Sequence, residues 1–341
     1  MEKNLEKLTN DHLHEAVHSK QLEKLFGDAS NRQYFRWTLS DQRSFIVMQL
    51  PEGKSSVSEE ITNFKGKPEE LPFLNVQHFL HNCELPVPQV FFYDAAARIM
   101  LLEDLGEVQF FNCVAGKSLE EQNVWYHKAL ELLHSFQNKT AAHKDADCIC
   151  WQRSFDSTLL NWEFDHFLEY GLEARGAKLS NAEKSEFIQM TRQITKEILK
   201  FPQTLVHRDF QSRNLMVKNK NLVLIDFQDA LKGPYVYDLV ALTRDSYVIL
   251  SPEQVANYCA KFAQLSGADA RKVQHDHALM TIQRKLKDAG RFVFIDHVKK
   301  NPNFLQYFPS SIAYVQHALQ LVPQYAGLAK ILEKYVPEWK A

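Results

Sequence analysis

The chain has 341 residues, with 40 Lys plus Arg against 42 Asp plus Glu and a formal net charge of −2. That balance excludes a general nucleic-acid binder, which carries a basic excess, and a disordered polyelectrolyte. Hydrophobic residues at 45% and charged residues at 24% describe an ordinary globular chain, long enough for two domains or for one domain of two lobes. The N-terminus is charged and lacks the apolar core of a secretory signal, and no run approaches the roughly 18 apolar residues of a membrane span. The five cysteines (Cys83, Cys113, Cys148, Cys150, Cys259) are odd in number and scattered, so reduced thiols and a cytoplasmic location are expected. Cys148 and Cys150 form a C-x-C pair without the second pair that a zinc site needs.

In chain order, Leu5–Lys20 has the spacing of a polar helix with a thin stripe of Leu5, Leu8, Leu13 and Val17. A small-residue loop, Gly27-Asp-Ala-Ser-Asn-Arg32, follows. Tyr34–Leu39 alternates, with Phe35, Trp37 and Leu39 on one face, and predicts a half-buried strand. Ser44–Leu50 predicts another, stopped by Pro51; residues 51–70 read as a connection. Pro72–Asn82 is a short helix by the spacing of Phe73, Val76, Phe79 and Leu80. Strands Gln89–Tyr93 and Ile99–Leu102 follow and close the strand-rich first 103 residues. From Leu119 the apolar period is helical, over about 119–137, 155–171, 180–200, 236–249, 252–265, 269–290, 310–320 and 322–335. Strand signals at Leu205-Val206, Leu215–Val217 and Leu222–Ile225 interrupt it. The expected organisation is a β-rich lobe over 1–103, a hinge at about 103–106 and a helical lobe over 104–341.

The interruption carries the chemistry. It reads His207-Arg208-Asp209-Phe-Gln-Ser-Arg213-Asn214, then Ile225-Asp226-Phe227-Gln228-Asp229. Asp209, Asn214 and Asp226 sit where apolar strands end, and a hairpin returns Asp226 towards Asn214. Phosphoryl transfer needs two hard oxygen ligands for Mg²⁺ and a carboxylate to orient the attacking hydroxyl and take its proton. H-x-D-x-x-x-x-N followed by a strand ending in Asp is the protein-kinase arrangement of those groups, here with D-F-Q in place of D-F-G. His207 is expected to support the loop backbone rather than to move protons.

These motifs resemble those of the aminoglycoside phosphotransferase family of kinase-like small-molecule kinases, over nearly the whole chain. Within that family Gly27–Arg36, His207–Val217, Asp226–Val240, Arg244–Tyr247 and Leu286–Gly290 are most similar to the bacterial anomeric sugar kinases, which phosphorylate N-acetylmuramate and N-acetylglucosamine at the C1 hydroxyl. The resemblance implies an α+β, protein-kinase-like two-lobed fold, with ATP and Mg²⁺ as cofactors and a small-molecule sugar as acceptor. It implies a cell-wall recycling role; no motif in the sequence points to a nucleic-acid or membrane partner. It makes Asp209 the catalytic base and Asn214 and Asp226 the metal ligands. Gly27, Asp28, Ala29, Ser30, Asn31 and Arg32 would lie over the phosphates, and Glu103–Leu105 would be the hinge that meets adenine. Asp238 would be architectural, bonding back to the catalytic loop. Other readings are an aminoglycoside or small-alcohol kinase of the same fold and a non-catalytic nucleotide-binding regulator.

The chain departs from the family where Met48 takes the place of the strand-three Lys. The helix 72–82 has no Glu to pair it; Glu69 and Glu70 lie just before it. Another cation is then expected at the phosphates, Arg32 or Arg36. For the acceptor, candidates are Glu163, Asp165 and Glu169 on the helix 155–171, with Arg213, Asp229 and Arg244; Trp162, Phe164 and Phe167 are expected in the core.

Overall fold

The computed structural model describes residues 1–25, 32–51 and 70–340. The chain forms two compact units, each assembled from separate stretches. One contains Met1–Glu59, Pro86–Val108 and Met216–Ile225; the other contains Glu60–Leu85, Gln109–Leu215 and Asp226–Ala341.

The first unit is built on an antiparallel sheet. Helix α1 (Glu2–Leu13) precedes strands β1 (Ser19–Leu25), β2 (Gln33–Leu39), β3 (Ser44–Gln49), β4 (Val90–Asp94) and β5 (Ile99–Glu103), in the order β1-β2-β3-β5-β4. The expected helix to Lys20 stops at Leu13, where His14 takes a left-handed conformation (φ 54°) and closes the last turn through its amide to the Asn10 carbonyl. The freed chain then pairs as β1 along β2. The period-two pattern sets the core: Trp37 and Leu39 of β2, Phe45 and Val47 of β3, and Ile99 and Leu101 of β5 are buried against Leu5 and Leu8 of α1. Met48, on the other face, pairs with Tyr34 and Met100 and is fully buried. The hairpin β7 (Leu215–Lys218) and β8 (Asn221–Leu224) turns through Asn219 and Lys220, both at positive φ (52° and 62°), as a two-residue hairpin turn requires.

The second unit is mainly helical: α2 (Pro72–Asn82), α3 (Phe110–Val114), α4 (Leu119–Ala142), α5 (Ile149–Gln152), α6 (Ser157–His166), α7 (Asn181–Ile198), α8 (Tyr237–Thr243), α9 (Pro252–Ser266), α10 (Ala270–Lys299), α11 (Phe308–Leu321) and α12 (Ala326–Tyr335). Ser118, Ser180 and Ser251 start α4, α7 and α9 with reciprocal capping boxes. A two-stranded ladder of β6 (Gln203–Val206) and β9 (Leu231–Pro234) carries the functional loop. Helix α8 ends at Thr243, short of the expected 249, because the Asp245 carboxylate turns the chain by accepting from the Tyr247 amide. Helix α10 runs on past the expected stop at 290. Gly290 is a point of close approach there: a Cβ would lie 2.8 Å from the Phe167 Cα, on the π-helical turn Phe167–Leu172 that continues α6. No helix among the described residues is long and apolar enough to cross a membrane.

Candidate active site

The loop His207–Asn214 leaves β6 and enters β7. A non-glycine residue at positive φ is strained, and Arg208 holds φ 75°. The loop therefore needs outside support, and buried groups supply it. Asp238, at the start of α8 and fully buried, accepts the His207 amide at 2.6 Å and the Arg208 amide at 3.1 Å. This is the architectural role expected of it. Burial pushes its carboxyl up to about 7, against the pull of those two amides and of Arg284. Asp245 accepts the Ser212 amide at 2.8 Å. The Ser212 carbonyl in turn accepts the Phe111 amide of α3 at 3.0 Å. His207 is buried, with its ring against Phe136 and Phe210.

On this braced loop Asp209 presents a side chain 41% exposed. Burial raises its carboxyl, but the positive charges of Arg284, Lys287 and Arg208 outweigh that and hold it below its ordinary value. It is a carboxylate at neutral pH, the state in which it accepts a proton. The Asp209 main-chain oxygen takes two bonds, from the Gln211 amide at 2.8 Å and from Asn214 Nδ2 at 3.0 Å. Asn214 Nδ2 also reaches Asp226 Oδ2 at 3.5 Å. Asp226 is exposed at φ 64°, with its other oxygen accepting from Gln228 Nε2 at 2.8 Å. The structure thus brings Asp209, Asn214 and Asp226 together within one hydrogen-bonded set.

That donor set suits Mg²⁺: one exposed carboxylate, and one amide oxygen whose nitrogen is committed to the Asp209 carbonyl. Mg²⁺ prefers hard oxygens and is ordinarily held by one or two protein ligands, with phosphates and water completing the shell. Among the described residues no group of three or more His, Cys, Asp or Glu side chains stands ready to hold a metal unaided.

The other expected residues are placed as follows. Gly27, Asp28, Ala29, Ser30 and Asn31 lie outside the described residues; Arg32 is the first residue after them. Glu103 ends β5, accepting from the Gln89 amide at 3.1 Å and from Lys218 Nζ at 2.6 Å. Leu105 is buried in a small apolar cluster with Met216 and Val223, flanked by Ile225. Arg36 does not stand free to meet phosphates: Asp104 and Glu107 occupy its guanidinium at 2.8 and 2.5 Å, and the Gly106 carbonyl takes another donor at 3.1 Å. Glu70 pairs with His78 at 3.2 Å.

The acidic residues of α6 separate. Glu163 is fully buried and accepts from Gln283 Nε2, and its carboxyl is raised by burial. Asp165, two residues on and so on the opposite face, takes both oxygens to Arg192 of α7 at 2.7 and 2.6 Å. Asp165 and Glu169 share a surface groove with Lys184 and Arg192. Arg213 stacks on Tyr247 at 3.8 Å and Phe111 at 5.5 Å. Asp229 lies 3.9 Å from Arg153, which also donates to the Gln228 and Ala230 carbonyls. Arg244 is 4% exposed, over the Tyr314 ring at 5.0 Å, and burial lowers its pKa. Phe164 and Phe167 are core residues, as expected; Trp162, expected with them, is only partly buried.

The support from Asp245, Arg153 and Arg284 was not singled out in the sequence. For Arg284 a signal exists: Arg284-Lys285-Leu286-Lys287-Asp288 sets four charges between the buried Ile282 and Ala289 of one helix.

A sheet-bearing unit and a helical unit with this loop define a kinase-like fold, and comparison with known structures agrees. A choline/ethanolamine kinase family protein from Mesorhizobium loti superposes with a TM-score of 0.60 at 13% identity, covering 97% of this chain and 99% of that one. Aminoglycoside phosphotransferase APH(2'')-Ib, ADP-bound, superposes with a TM-score of 0.58 at 16% identity, covering 94% and 98%. The phosphotransferase enzyme family profile matches residues 21–274, and the chain belongs to that family. It is a phosphotransferase of the α+β, protein-kinase-like, two-lobed fold. Two similar sequences are each named N-acetylmuramate/N-acetylglucosamine kinase. The one from Pseudomonas putida is 28% identical over 341 residues, covering 97% of this chain and 93% of its own. The one from Neisseria meningitidis serogroup B is 29% identical over 317 residues, covering 89% of each chain.

Proposed function

We propose that the protein transfers the γ-phosphate of ATP to the anomeric C1 hydroxyl of N-acetylmuramate or N-acetylglucosamine, in the cytoplasmic recycling of cell-wall sugars. The observation that carries the reaction is the joining of Asp209, Asn214 and Asp226 in one braced loop set. The acceptor class is supported by the relatives named for those two sugars, which match along most of the chain. All three polar residues are present, which favours an enzyme over a nucleotide-binding regulator.

In this reading Asp209 is the general base. Its carboxylate accepts the C1 hydroxyl proton as the sugar oxygen bonds to the γ-phosphorus, and the bond to the ADP oxygen breaks. Asn214 and Asp226 hold Mg²⁺, which neutralises charge on the phosphates. The phosphates are assigned to Gly27–Arg32 and adenine to the main chain of Glu103–Leu105, beside the apolar cluster of Leu105, Met216 and Val223. Arg213, Asp229, Glu163 and Arg244 remain the acceptor-side assignments. Arg213 and Asp229 are the partly exposed pair, and the buried Glu163 and Arg244 act from beneath the surface.

The test is a phosphorylation panel with Mg-ATP: N-acetylmuramate, N-acetylglucosamine, plain hexoses, choline and several aminoglycosides. Products are located by phosphorus–proton NMR. Phosphate on C1 of the N-acetyl sugars is expected. Turnover of an aminoglycoside or choline alone keeps the phosphotransfer and overturns the sugar reading.

A further inference from the structure

We infer that Arg284 of α10 is the positioning residue that fixes the Asp209 carboxylate for proton transfer. The inference rests on Asp209 as the base and not on which alcohol is phosphorylated.

The residue that precedes Asp209 is held at both its amide and its carbonyl. This residue, Arg208, has the strained φ of 75°. On one side Asp238 accepts the Arg208 amide at 3.1 Å. On the other, Arg284 Nη1 donates to the Arg208 carbonyl at 2.8 Å. The same guanidinium turns Nη2 towards Asp209 Oδ1 at 3.5 Å. One planar fork therefore sets the carbonyl of the strained residue and one oxygen of the carboxylate in a fixed relation, with Oδ2 left for the acceptor's proton. A lysine has the charge but not the fork.

Arg284 has no freedom to do otherwise. It is 2% exposed, and its guanidinium lies 4.7 Å from the centre of the Tyr237 ring of α8. Charges act on it from Asp209 of the loop, Asp238 of α8, Glu163 of α6, and Lys285, Lys287 and Asp288 of its own helix. A buried guanidinium is retained only with partners that outweigh its desolvation. Here the hydrogen-bonding partners are the catalytic-loop carbonyl and Asp209 itself.

A role through Asp209 and a general structural role make different marks, and a double-mutant cycle separates them. Arg284→Lys is expected to lower kcat about 30-fold or more while nucleotide KM stays within about two-fold. Asp209→Asn is expected to lower kcat at least about 100-fold. The double variant is expected to be no slower than Asp209→Asn within about two-fold, because the base that Arg284 aims is already gone. Losses that multiply, or kcat and nucleotide KM moving together, overturn the inference. If Arg284→Lys does not fold, Tyr237→Leu removes the surface under the guanidinium and is read in the same cycle with the same outcomes. If the wild type phosphorylates only some other alcohol, the sugar reading falls and the cycle is read on that alcohol. A wild type with no turnover of any acceptor, water included, overturns both.

Discussion

Arg36 and Asp104 meet through two parallel bonds, Nε to Oδ2 at 2.8 Å and Nη2 to Oδ1 at 3.3 Å. Asp104 also accepts the Gly106 amide at 2.9 Å. Burial raises the Asp104 carboxyl, but Arg36 and that amide more than offset it, so the pair is ionised at neutral pH. A bidentate pair of this kind fixes geometry as well as charge. It pins the segment after β5 that is assigned to adenine. Arg36→Met is therefore expected to raise nucleotide KM several-fold with kcat nearly unchanged, and to lower stability by about 1–2 kcal/mol. Steady-state kinetics decide the matter: a fall in kcat with nucleotide KM intact would place Arg36 on the transferring phosphoryl group instead.

Asp209→Asn keeps the size of the side chain and the main-chain bonds to Gln211 and Asn214, so the loop is expected to stand. Mg-nucleotide affinity, measured by calorimetry, should stay within about two-fold while phosphotransfer drops at least about 100-fold. An unchanged rate would remove Asp209 from the mechanism.

The parts of this site that were legible in the sequence are those fixed by local spacing. His207, Asp209 and Asn214 fall in one loop, and Asp226 follows one hairpin later, so their approach needed only the strand signal at Leu222–Ile225, which the structure forms as Asn221–Leu224. Asp238 was legible through family resemblance. What was not legible depends on contacts distant in sequence. Strand β9 contains Gly233 and Pro234, residues that signal a turn, yet β6 recruits it as a partner. Gly290 resembles a helix end until the Phe167 backbone is seen against it. Arg284 lies 75 residues from Asp209. Arg36 looked like a phosphate cation because nothing local shows that Asp104 and Glu107 already hold it.

The metal assignment predicts a specific dependence. Asp226 is the sole carboxylate in the proposed ligand pair, so Asp226→Asn is expected to raise the Mg²⁺ concentration for half-maximal rate about ten-fold or more. Mn²⁺, which binds amide oxygen more readily, is expected to restore part of the loss. Gln228 donates to Asp226 Oδ1 at 2.8 Å and orients it, so Gln228→Ala should produce a smaller shift in the same direction. Mg²⁺ titrations of the three proteins that superimpose would dismiss Asp226 as a ligand.

His166 gives the protein an acid sensitivity that lies outside the chemistry. Its ring is packed against Trp162, Tyr170 and Phe294 with centroids at 5.2, 4.7 and 5.2 Å, and Nε2 is buried without a hydrogen-bond partner among the described residues. Burial, aided by the charges of Arg291 and Lys287, lowers its pKa to about 4 from 6.5. The native state thus keeps the ring neutral where the unfolded chain protonates it. Stability from this group is complete above 6.5 and is lost as pH falls towards 4. Allowing for partial access of water, the loss between pH 7.5 and 5 is about 1–2 kcal/mol. Urea unfolding at the two pH values should show that fall in the wild type and a correspondingly smaller one in His166→Phe, whose ring keeps the stack and cannot titrate. Equal falls in both proteins would clear His166, leaving the acid sensitivity to other buried groups.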